Sequence, residues 1–345
     1  MKYAEIIKDN YEHHSAVPWW TKFAFHYTDV TNAVSILDSG FLYSRVDAEK
    51  LGLMHNDNAS RQVIDMTKTE TVANVRFYFR PLTPTQYYNE GFKHSSLRYD
   101  NDKNANVPVP VFLLFDLEKL LQMPETKFSE LPQSGYGAEL YNSEDEFQRF
   151  RFDDIYSDGY AENFNEIKRY RHAEILYPNA FNIDTCINTI LCRNAIEQIT
   201  LLNLLREKSS KAFYKYKPII KVCKRKMFEN NGLYVTDCQY HDKTLTISFS
   251  EVLARQDYIR RLMKRNNIDT LAPISARLEL DWLNAKRVCY HNTTEFTLNY
   301  DNTSAITFRN LPKISGAKLL RVQVYLEGCL MCSIEQPLES VDLIR

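Results

Sequence analysis

The clearest structural signal in the chain lies at residues 23–45, which read Phe-Ala-Phe-His-Tyr-Thr-Asp-Val-Thr-Asn-Ala-Val-Ser-Ile-Leu-Asp-Ser-Gly-Phe-Leu-Tyr-Ser-Arg. A short apolar run ends in the polar residues His-Tyr-Thr at 26–28, which is typical of a strand that delivers side chains to a ligand. A helix is predicted directly after it, because Asp29 or Thr31 can cap its start and Gly40 can end it. The stretch therefore predicts a strand, a polar tip, a helix and a second strand.

Two further stretches extend this pattern. Residues 75–88 read Val-Arg-Phe-Tyr-Phe-Arg-Pro-Leu-Thr-Pro-Thr-Gln-Tyr-Tyr; the alternation of apolar and polar residues predicts a strand that Pro81 and Pro84 end. Residues 171–178 read Arg-His-Ala-Glu-Ile-Leu-Tyr-Pro, a short apolar strand that carries one carboxylate. Strands and helices interleave through this half of the chain, which predicts α/β or α+β character.

In this order, the three stretches resemble the DarT family of bacterial toxins, which ADP-ribosylate single-stranded DNA using NAD. The resemblance covers roughly residues 20–207. It implies the fold class α+β, with a split β-sheet domain like that of ADP-ribosyltransferases and flanking helices. It also implies thymine as the modified base with guanine as the alternative, a role as a toxin or phage-defence effector, and a macrodomain antitoxin as partner. Many family members carry Arg after the first proline of the second stretch, where this chain has Leu82.

Length and composition limit the classes of protein. The 345 residues are 44% apolar, enough for two packed domains. No run approaches the roughly 18 apolar residues that span a bilayer, and the N-terminus lacks the apolar core of a signal peptide. Seven cysteines without the spacing of a small disulfide domain predict reduced thiols and a cytoplasmic location. Because the net charge is −1, nucleic-acid binding would need a local basic patch.

The pattern changes in the last third of the chain. Residues 206–226 contain nine Lys or Arg and one acid, and alternating apolar residues beyond them predict half-buried antiparallel strands. These strands lie at residues 232–236, 244–249, 276–280, 295–300, 305–308 and 319–326. We therefore predict an ADP-ribosyltransferase domain at 1–210, a basic linker or helix at 211–230, and a β-rich accessory domain at 231–345, all-β and sandwich-like.

The chemistry expected of an NAD-consuming transferase selects one carboxylate. The only Gly-x-Gly, Gly135-Tyr-Gly137, lacks the strand–helix context of a dinucleotide fold, so NAD is expected as a substrate and not as a hydride carrier. Cleavage between ribose and nicotinamide develops positive charge at the anomeric carbon, which a carboxylate stabilises. Glu174 fits this role on its apolar strand, and by resemblance it matches the catalytic Glu of the family. The alternative is an edge-strand Glu that faces water.

The resemblance assigns an NAD-binding set on the first stretch. It comprises His26, Tyr27, Thr28, Ser35 and Tyr43. An imidazole can hold a ribose hydroxyl, and the tautomer of His26 depends on what its other nitrogen meets. The alternative for His26 is a hydrogen-bonded core histidine.

A second catalytic residue, an Arg between the first two stretches, is also implied by the resemblance. We assign it to Arg61, whose permanently charged guanidinium could hold the NAD phosphates and assist the base as it loses its proton. Arg45, Arg76 and Arg80 are competitors for this role, and the alternative for Arg61 is a solvated helix residue.

Contacts with the nucleic acid are predicted for the second stretch. Aromatic rings can stack an unpaired base and guanidinium groups can hold phosphates. The residues chosen are Arg76, Tyr78, Arg80 and Tyr87. The basic run at 206–226 is a further candidate, although Tyr is usually a core residue and a basic run is usually a solvated helix face.

No metal is expected. Cys329-Leu-Met-Cys332 lacks a second Cys or His pair at zinc spacing, so these thiols are interpreted as small buried hydrophobes. The predicted enzyme transfers ADP-ribose from NAD to a base of single-stranded DNA and releases nicotinamide. The alternatives are the same reaction on RNA or protein, and a non-catalytic nucleic-acid-binding module.

Overall fold

A computed structural model of the chain describes residues 1–56, 72–98, 106–134, 138–159, 163–285 and 287–338. Its strands and helices fall into two groups, each built around its own cluster of buried apolar side chains.

The first group contains nine of the described strands. They are β1 (Phe23–Asp29), β2 (Phe41–Tyr43), β3 (Asn74–Tyr78), β4 (Pro110–Asp116), β5 (Lys127–Ser129), β6 (Glu174–Pro178), β7 (Ala180–Asn182), β8 (Ile187–Cys192) and β9 (Ile220–Val222). Seven of them form one sheet in the order β5-β6-β3-β1-β4-β8-β9, which is antiparallel except between β8 and β9. Strands β2 and β7 form a separate antiparallel pair.

Short helices surround this sheet. They are α1 (Tyr3–His13), α2 (Val30–Ser39), α3 (Arg45–Lys50), α4 (Pro84–Asn89), α5 (Leu117–Leu121), α6 (Glu144–Phe147), α7 (Phe152–Ile155), α8 (Phe164–Tyr170), α9 (Ala195–Lys208) and α10 (Ser210–Tyr216). Helix α2 begins as predicted, because the Asp29 carboxylate accepts a hydrogen bond from Thr31 N at 3.0 Å, and it ends at Gly40 with φ of 76°. Among the described residues, no helix combines the length and apolar character needed to cross a bilayer.

The seven-stranded sheet is split at its centre. Strands β1 and β3 are paired only at Phe25 and Tyr78 within the described residues, whereas β1 and β4 are paired along seven residues. The two halves of the sheet, β5-β6-β3 and β1-β4-β8-β9, therefore diverge on either side of this pair. The predicted split-sheet fold is confirmed, and the split opens a cleft beside the His-Tyr-Thr tip.

Two local predictions for this half differ from the structure. The strand predicted through Arg80 ends at Tyr78. The stretch 124–165 is rich in acids, a composition that predicts surface loops, yet it contains α6 and buries Phe147 and Phe150 among the rings around Phe128. These aromatic residues extend the first apolar cluster, because an edge of the sheet must be covered.

The second group confirms the predicted β-rich region. Its strands are β10 (Val235–His241), β11 (Thr244–Phe249), β12 (Ile274–Asn284), β13 (Arg287–Leu298), β14 (Ala305–Phe308), β15 (Leu319–Leu326) and β16 (Cys329–Pro337). They form antiparallel sheets in the orders β10-β11-β14 and β13-β12-β15-β16. A helix that the sequence reasoning missed, α11 (Val252–Asn266), packs Tyr258, Ile259 and Leu262 into the same apolar cluster. The proposed domain limits stay a prediction.

The two clusters meet at a buried polar junction. Phe92 exchanges two backbone hydrogen bonds with Leu233, at 2.9 and 3.0 Å. Just before this pair, Gly91 and Gly232 lie so close that a Cβ on Gly232 would stand 2.6 Å from the carbonyl oxygen of Glu90. The segment after α4 is therefore fixed against the beginning of the β-rich region.

Candidate active site

The split in the sheet opens into a cavity of about 440 Å³. Its walls come from β1, α2, β2, α3, β3, α4, α8 and β6. Eight residues selected from the sequence line it: His26, Tyr27, Thr28, Ser35, Tyr43, Arg76, Tyr78 and Glu174. The first, second and third stretches are thus brought together at one place, although nearly 150 residues separate the first from the last.

Glu174 supplies the carboxylate of this cavity. It is the first residue of β6, opposite Tyr78 on β3 and Ser129 on β5, so it lies inside the sheet and not on an edge. Its side chain is 3% exposed, and its Oε2 atom has no hydrogen-bond partner among the described residues. The alternative of a water-facing edge Glu does not fit this burial.

The pKa of Glu174 reflects its burial and two neighbouring groups. Burial raises the pKa of the carboxyl group, while the Arg76 guanidinium, with Nη1 3.8 Å from Oε1, and a backbone hydrogen bond at Gln133 lower it. A carboxylate that is desolvated but retains a cation beside it is suited to stabilising a second positive charge that forms nearby.

His26 is held in a defined orientation across the split. Its Nδ1 lies 3.0 Å from the carbonyl oxygen of Arg76, which can only accept a hydrogen bond, so Nδ1 carries the proton. Burial lowers the pKa of His26, and the bond to this carbonyl opposes the shift. The neutral ring therefore leaves Nε2 as an acceptor for a hydroxyl group.

His26 and Glu174 face the same cavity from opposite halves of the sheet. Phe25, the neighbour of His26, and Glu174 both lie opposite Tyr78, on its two sides. Two strand spacings separate their backbones by roughly 10 Å, a distance that a ribose can occupy between the side chains.

The remaining residues of the predicted NAD-binding set have distinct surroundings. Ser35 is buried on α2, and its hydroxyl lies 3.0 Å from Nε2 of His55. The Tyr27 hydroxyl is buried without a hydrogen-bond partner among the described residues, and burial raises its pKa. Thr28 is buried beside it at the end of β1, and Tyr43 lies at the end of β2.

Two residues selected from the sequence lie in the described part of the chain but do not line the cavity. Arg80 is buried, and its guanidinium donates to the carbonyl oxygens of Pro81, Ile155 and Ser157, so it is not available to a phosphate. Tyr87 packs against Tyr258 with ring centroids 5.3 Å apart. Arg61 lies outside the described residues.

The basic run at 206–226 also lies away from this cavity. No residue of the run lines it, and several of its cations pair with acids of the chain. Arg206 lies 2.8 Å from Glu335, and Lys226 lies 3.1 Å from Asp158. These side chains stabilise the surface of the fold.

Sequence reasoning missed several cavity residues. Asn32 on α2 accepts hydrogen bonds from the backbone N–H groups of His55 and Asn56, at 2.8 and 3.1 Å, and so holds the segment that forms one wall. His172 lies two residues before Glu174, and burial lowers its pKa to about 4, so it is neutral at pH 7. Its place inside the third stretch was a signal that could have found it. The others are Asn89 and Lys168, whereas Arg45, named above as a competitor of Arg61, and Tyr88, an aromatic residue of the second stretch, also line the cavity.

The described residues contain no group of three or more metal-ligating side chains. Cys332 lies buried in the second apolar cluster, which agrees with its interpretation as a small hydrophobe. All seven thiols are free.

Comparison with known proteins identifies a family. Residues 25–224, more than half of the chain, match the model of the family described as "ssDNA thymidine ADP-ribosyltransferase, DarT". No curated protein matches the sequence significantly.

Solved structures give remote likenesses. Thermus sp. 2.9 DarT in complex with ADP-ribosylated ssDNA is 16% identical, with a TM-score of 0.48 over 59% of this chain and 94% of that one. The NAD+ complex of the same protein is 16% identical, with a TM-score of 0.46 over 59% and 96%. Thermosipho africanus DarTG in complex with ADP-ribose is 14% identical, with a TM-score of 0.43 over 54% and 47%. The assignment rests on the family match and not on these likenesses.

Proposed function

The chain belongs to the DarT family of single-stranded-DNA ADP-ribosyltransferases, and on that premise we propose that its cavity holds NAD with the nicotinamide ribose between His26 and Glu174. The protein is an NAD-dependent enzyme that ADP-ribosylates single-stranded DNA, and NAD is its substrate. The proposal concerns which residues perform this reaction and on which base.

The observation that carries the proposal is the buried carboxylate of Glu174, with one oxygen unpaired among the described residues, in the wall of the cavity. Burying such an oxygen without a hydrogen-bond partner is unfavourable. The arrangement becomes favourable when positive charge or a hydroxyl group appears in the cavity. A ribosyl cation supplies the first and a ribose hydroxyl the second.

In the proposed reaction, the bond between the anomeric carbon and nicotinamide breaks, and its electron pair leaves with nicotinamide. Glu174 stabilises the positive charge left on the ribose, while Nε2 of His26 accepts a hydrogen bond from a ribose hydroxyl. Tyr27, Thr28, Ser35 and Tyr43 complete the proposed NAD site.

We propose thymine as the base, in agreement with the family's description. Its only free ring nitrogen, N3, forms the new bond and loses its proton. Arg76 and Tyr78 line the cavity beside Glu174 and are the proposed contacts to the nucleotide; Arg61 keeps its proposed role of assisting the proton loss.

We also propose a biological setting for this reaction. A protein that modifies DNA bases is expected to act as a toxin or phage-defence effector in the cytoplasm. Its seven free thiols fit that compartment. A macrodomain antitoxin that removes the modification is the proposed partner.

Glu174→Gln tests the catalytic assignment. The amide keeps the shape of the side chain and removes its charge, so a fall of about 100- to 1,000-fold in kcat with DNA is expected, as for other removed electrostatic stabilisers. Mass spectrometry of thymine-containing oligonucleotides should show a gain of ADP-ribose with the unaltered protein. Glu125→Gln is the matched control, since Glu125 accepts a hydrogen bond from Tyr177 at the surface, away from the cavity.

RNA and a mixture of proteins serve as the other acceptors. ADP-ribose appearing only on RNA or protein would overturn the DNA assignment. Full activity of Glu174→Gln would overturn the mechanism, and transfer to a thymine-free strand alone would overturn the choice of base.

A further inference from the structure

Three tyrosines in edge-to-face contact connect the β-rich region to the lining of the cavity. Tyr258 on α11 lies 5.3 Å from Tyr87, and Tyr87 lies 5.2 Å from Tyr88, measured between ring centroids. The Tyr258 hydroxyl also donates to the carbonyl oxygen of Tyr88 at 3.4 Å. Tyr88 in turn lines the cavity. Helix α11 is therefore fixed against a residue of the cavity lining, although it lies beyond residues 25–224 that match the family.

A row of cations runs along the side of α11 that faces these rings. Arg261 and Arg265 follow Tyr258 at spacings of three and seven residues, so the three side chains share one face of the helix. Both arginines are exposed. The Arg265 guanidinium lies 5.7 Å from the centre of the Tyr88 ring. Burial raises the pKa of Tyr87, and the nearby charge of Arg261 opposes that shift.

Lys168 is a third cation, near the Tyr88 ring. It lies on α8, its Nζ atom is 5.8 Å from the Tyr88 ring, and it lines the cavity. We call Arg261, Arg265 and Lys168 the basic row. Its members come from two helices that are distant in sequence, and Lys168 and Arg265 both approach the Tyr88 ring.

The charge of the row contrasts with that of the whole chain. The last two turns of α11 contain Arg260, Arg261, Lys264 and Arg265 and no acid, whereas the net charge of the protein is −1. Cations near a helix C-terminus complement the helix dipole, which explains their presence at that end. The dipole does not explain why Arg261 and Arg265 lie on the face of the helix that carries Tyr258.

We propose that the basic row binds the phosphates of the single-stranded DNA on one side of the base that enters the cavity. Tyr88 would then lie under the strand where it turns into the entrance, because aromatic rings support unpaired bases between phosphate contacts. This inference rests on the proposed function and gives part of the β-rich region a role in substrate binding.

The double variant Arg261→Gln/Arg265→Gln tests this proposal in the full-length protein. Binding of a labelled thymine-containing oligonucleotide without NAD should weaken about tenfold, which corresponds to roughly 1.4 kcal/mol. The slope of log K against log salt should fall by about 1.4, since each phosphate contact on a single strand contributes about 0.7. The KM for NAD should remain unchanged.

Two controls distinguish a loss of phosphate contacts from a general effect of the substitutions on the protein. Arg260→Gln removes an exposed charge from the same helix, on the side away from Tyr258, where Arg260 pairs with Asp257 at 2.7 Å; it should bind the oligonucleotide like the unaltered protein. The KM for NAD, measured on the same preparations, is the second control, and it should be the same in the double variant and in the unaltered protein.

The outcomes distinguish the two hypotheses. If the unaltered protein fails to modify any DNA strand, the proposed function is wrong and this inference falls with it. If the unaltered protein is active but the double variant keeps its affinity and salt slope, the inference alone is wrong. An equal loss in Arg260→Gln, or an equal rise in the KM for NAD, would also overturn it, because the effect would then not come from contacts along the strand.

Discussion

Replacing Glu90 by glutamine tests what holds the two apolar clusters together. Glu90 is fully buried just after α4, and its two carboxylate oxygens accept four hydrogen bonds. Oε2 accepts from Gln86 Nε2 at 2.6 Å and from Glu229 N at 2.9 Å. Oε1 accepts from Asn230 N at 3.1 Å and from Arg193 Nη1 at 3.2 Å.

The size of the effect follows from this pattern of donors. Whichever oxygen becomes an NH₂ group in Glu90→Gln, two donors lose their acceptor and face another donor. Arg193, itself buried, also loses one of the two carboxylates that compensate its charge, the other being Glu197. Disrupting one partner of a buried charged network costs about 3–5 kcal/mol in the free energy of unfolding. This is a large part of the stability of most proteins.

Urea unfolding, followed by tryptophan fluorescence and by circular dichroism, measures this loss. Glu335→Gln is the control, because the Glu335 pair with Arg206 also joins the two groups of strands but lies partly exposed, and it should cost less than about 1 kcal/mol. If Glu90→Gln costs no more than the control, the buried network does not hold the junction and the reasoning is refuted.

Individual contacts lead to three more expected outcomes. Gly232→Ala should destabilise the fold or abolish soluble expression, because its Cβ would lie 2.6 Å from a backbone oxygen, and thermal unfolding would show this. Arg80→Gln should lower the free energy of unfolding by about 3 kcal/mol and leave the DNA affinity of the folded fraction unchanged, since three carbonyl oxygens lose their donor. For His172 the folded pKa of about 4 lies below the unfolded value, so its contribution to stability is complete above about pH 6.5 and is lost as the pH falls towards 4; His172→Gln should flatten that part of the stability–pH curve.

Part of the cavity lining could be predicted because its signals are local. A polar tip at the end of an apolar strand pointed to His26, and a carboxylate inside an apolar strand pointed to Glu174; both line the cavity. A charged side chain in such a position is costly, which favours a cavity beside the strand, but the choice over a water-facing Glu came from the resemblance to the family. The cap at Asp29 followed from the same kind of short-range rule.

Other parts of the fold and of the cavity depend on contacts between segments that are distant in sequence. Arg76 and Arg80 belong to the same alternating stretch and carry the same guanidinium group. Arg76 lines the cavity, whereas Arg80 is buried against Ser157, a residue 77 positions away. Helix α11 was missed because its segment is strongly charged. It buries four residues, and one of them, Arg255, is itself charged. Nothing in its sequence indicates that Tyr87 and Tyr88 lie opposite.

Helix α4 contacts both the cavity and the chain that enters the β-rich region, and it does so with two different sides. One side presents Tyr88 and Asn89 to the cavity. Gln86, at the other side, donates to Glu90 and to the carbonyl oxygen of Met227 at 2.8 Å, which ties the helix to the chain that enters the β-rich region. A helix of six residues has little stability of its own, so its position must come from these tertiary contacts. Loosening the junction should therefore move Tyr88 before it unfolds the sheet, and Glu90→Gln should raise the KM for DNA more than the KM for NAD at temperatures where the variant remains folded. Equal changes in both constants would show that the junction supports the whole cavity and not the entrance alone.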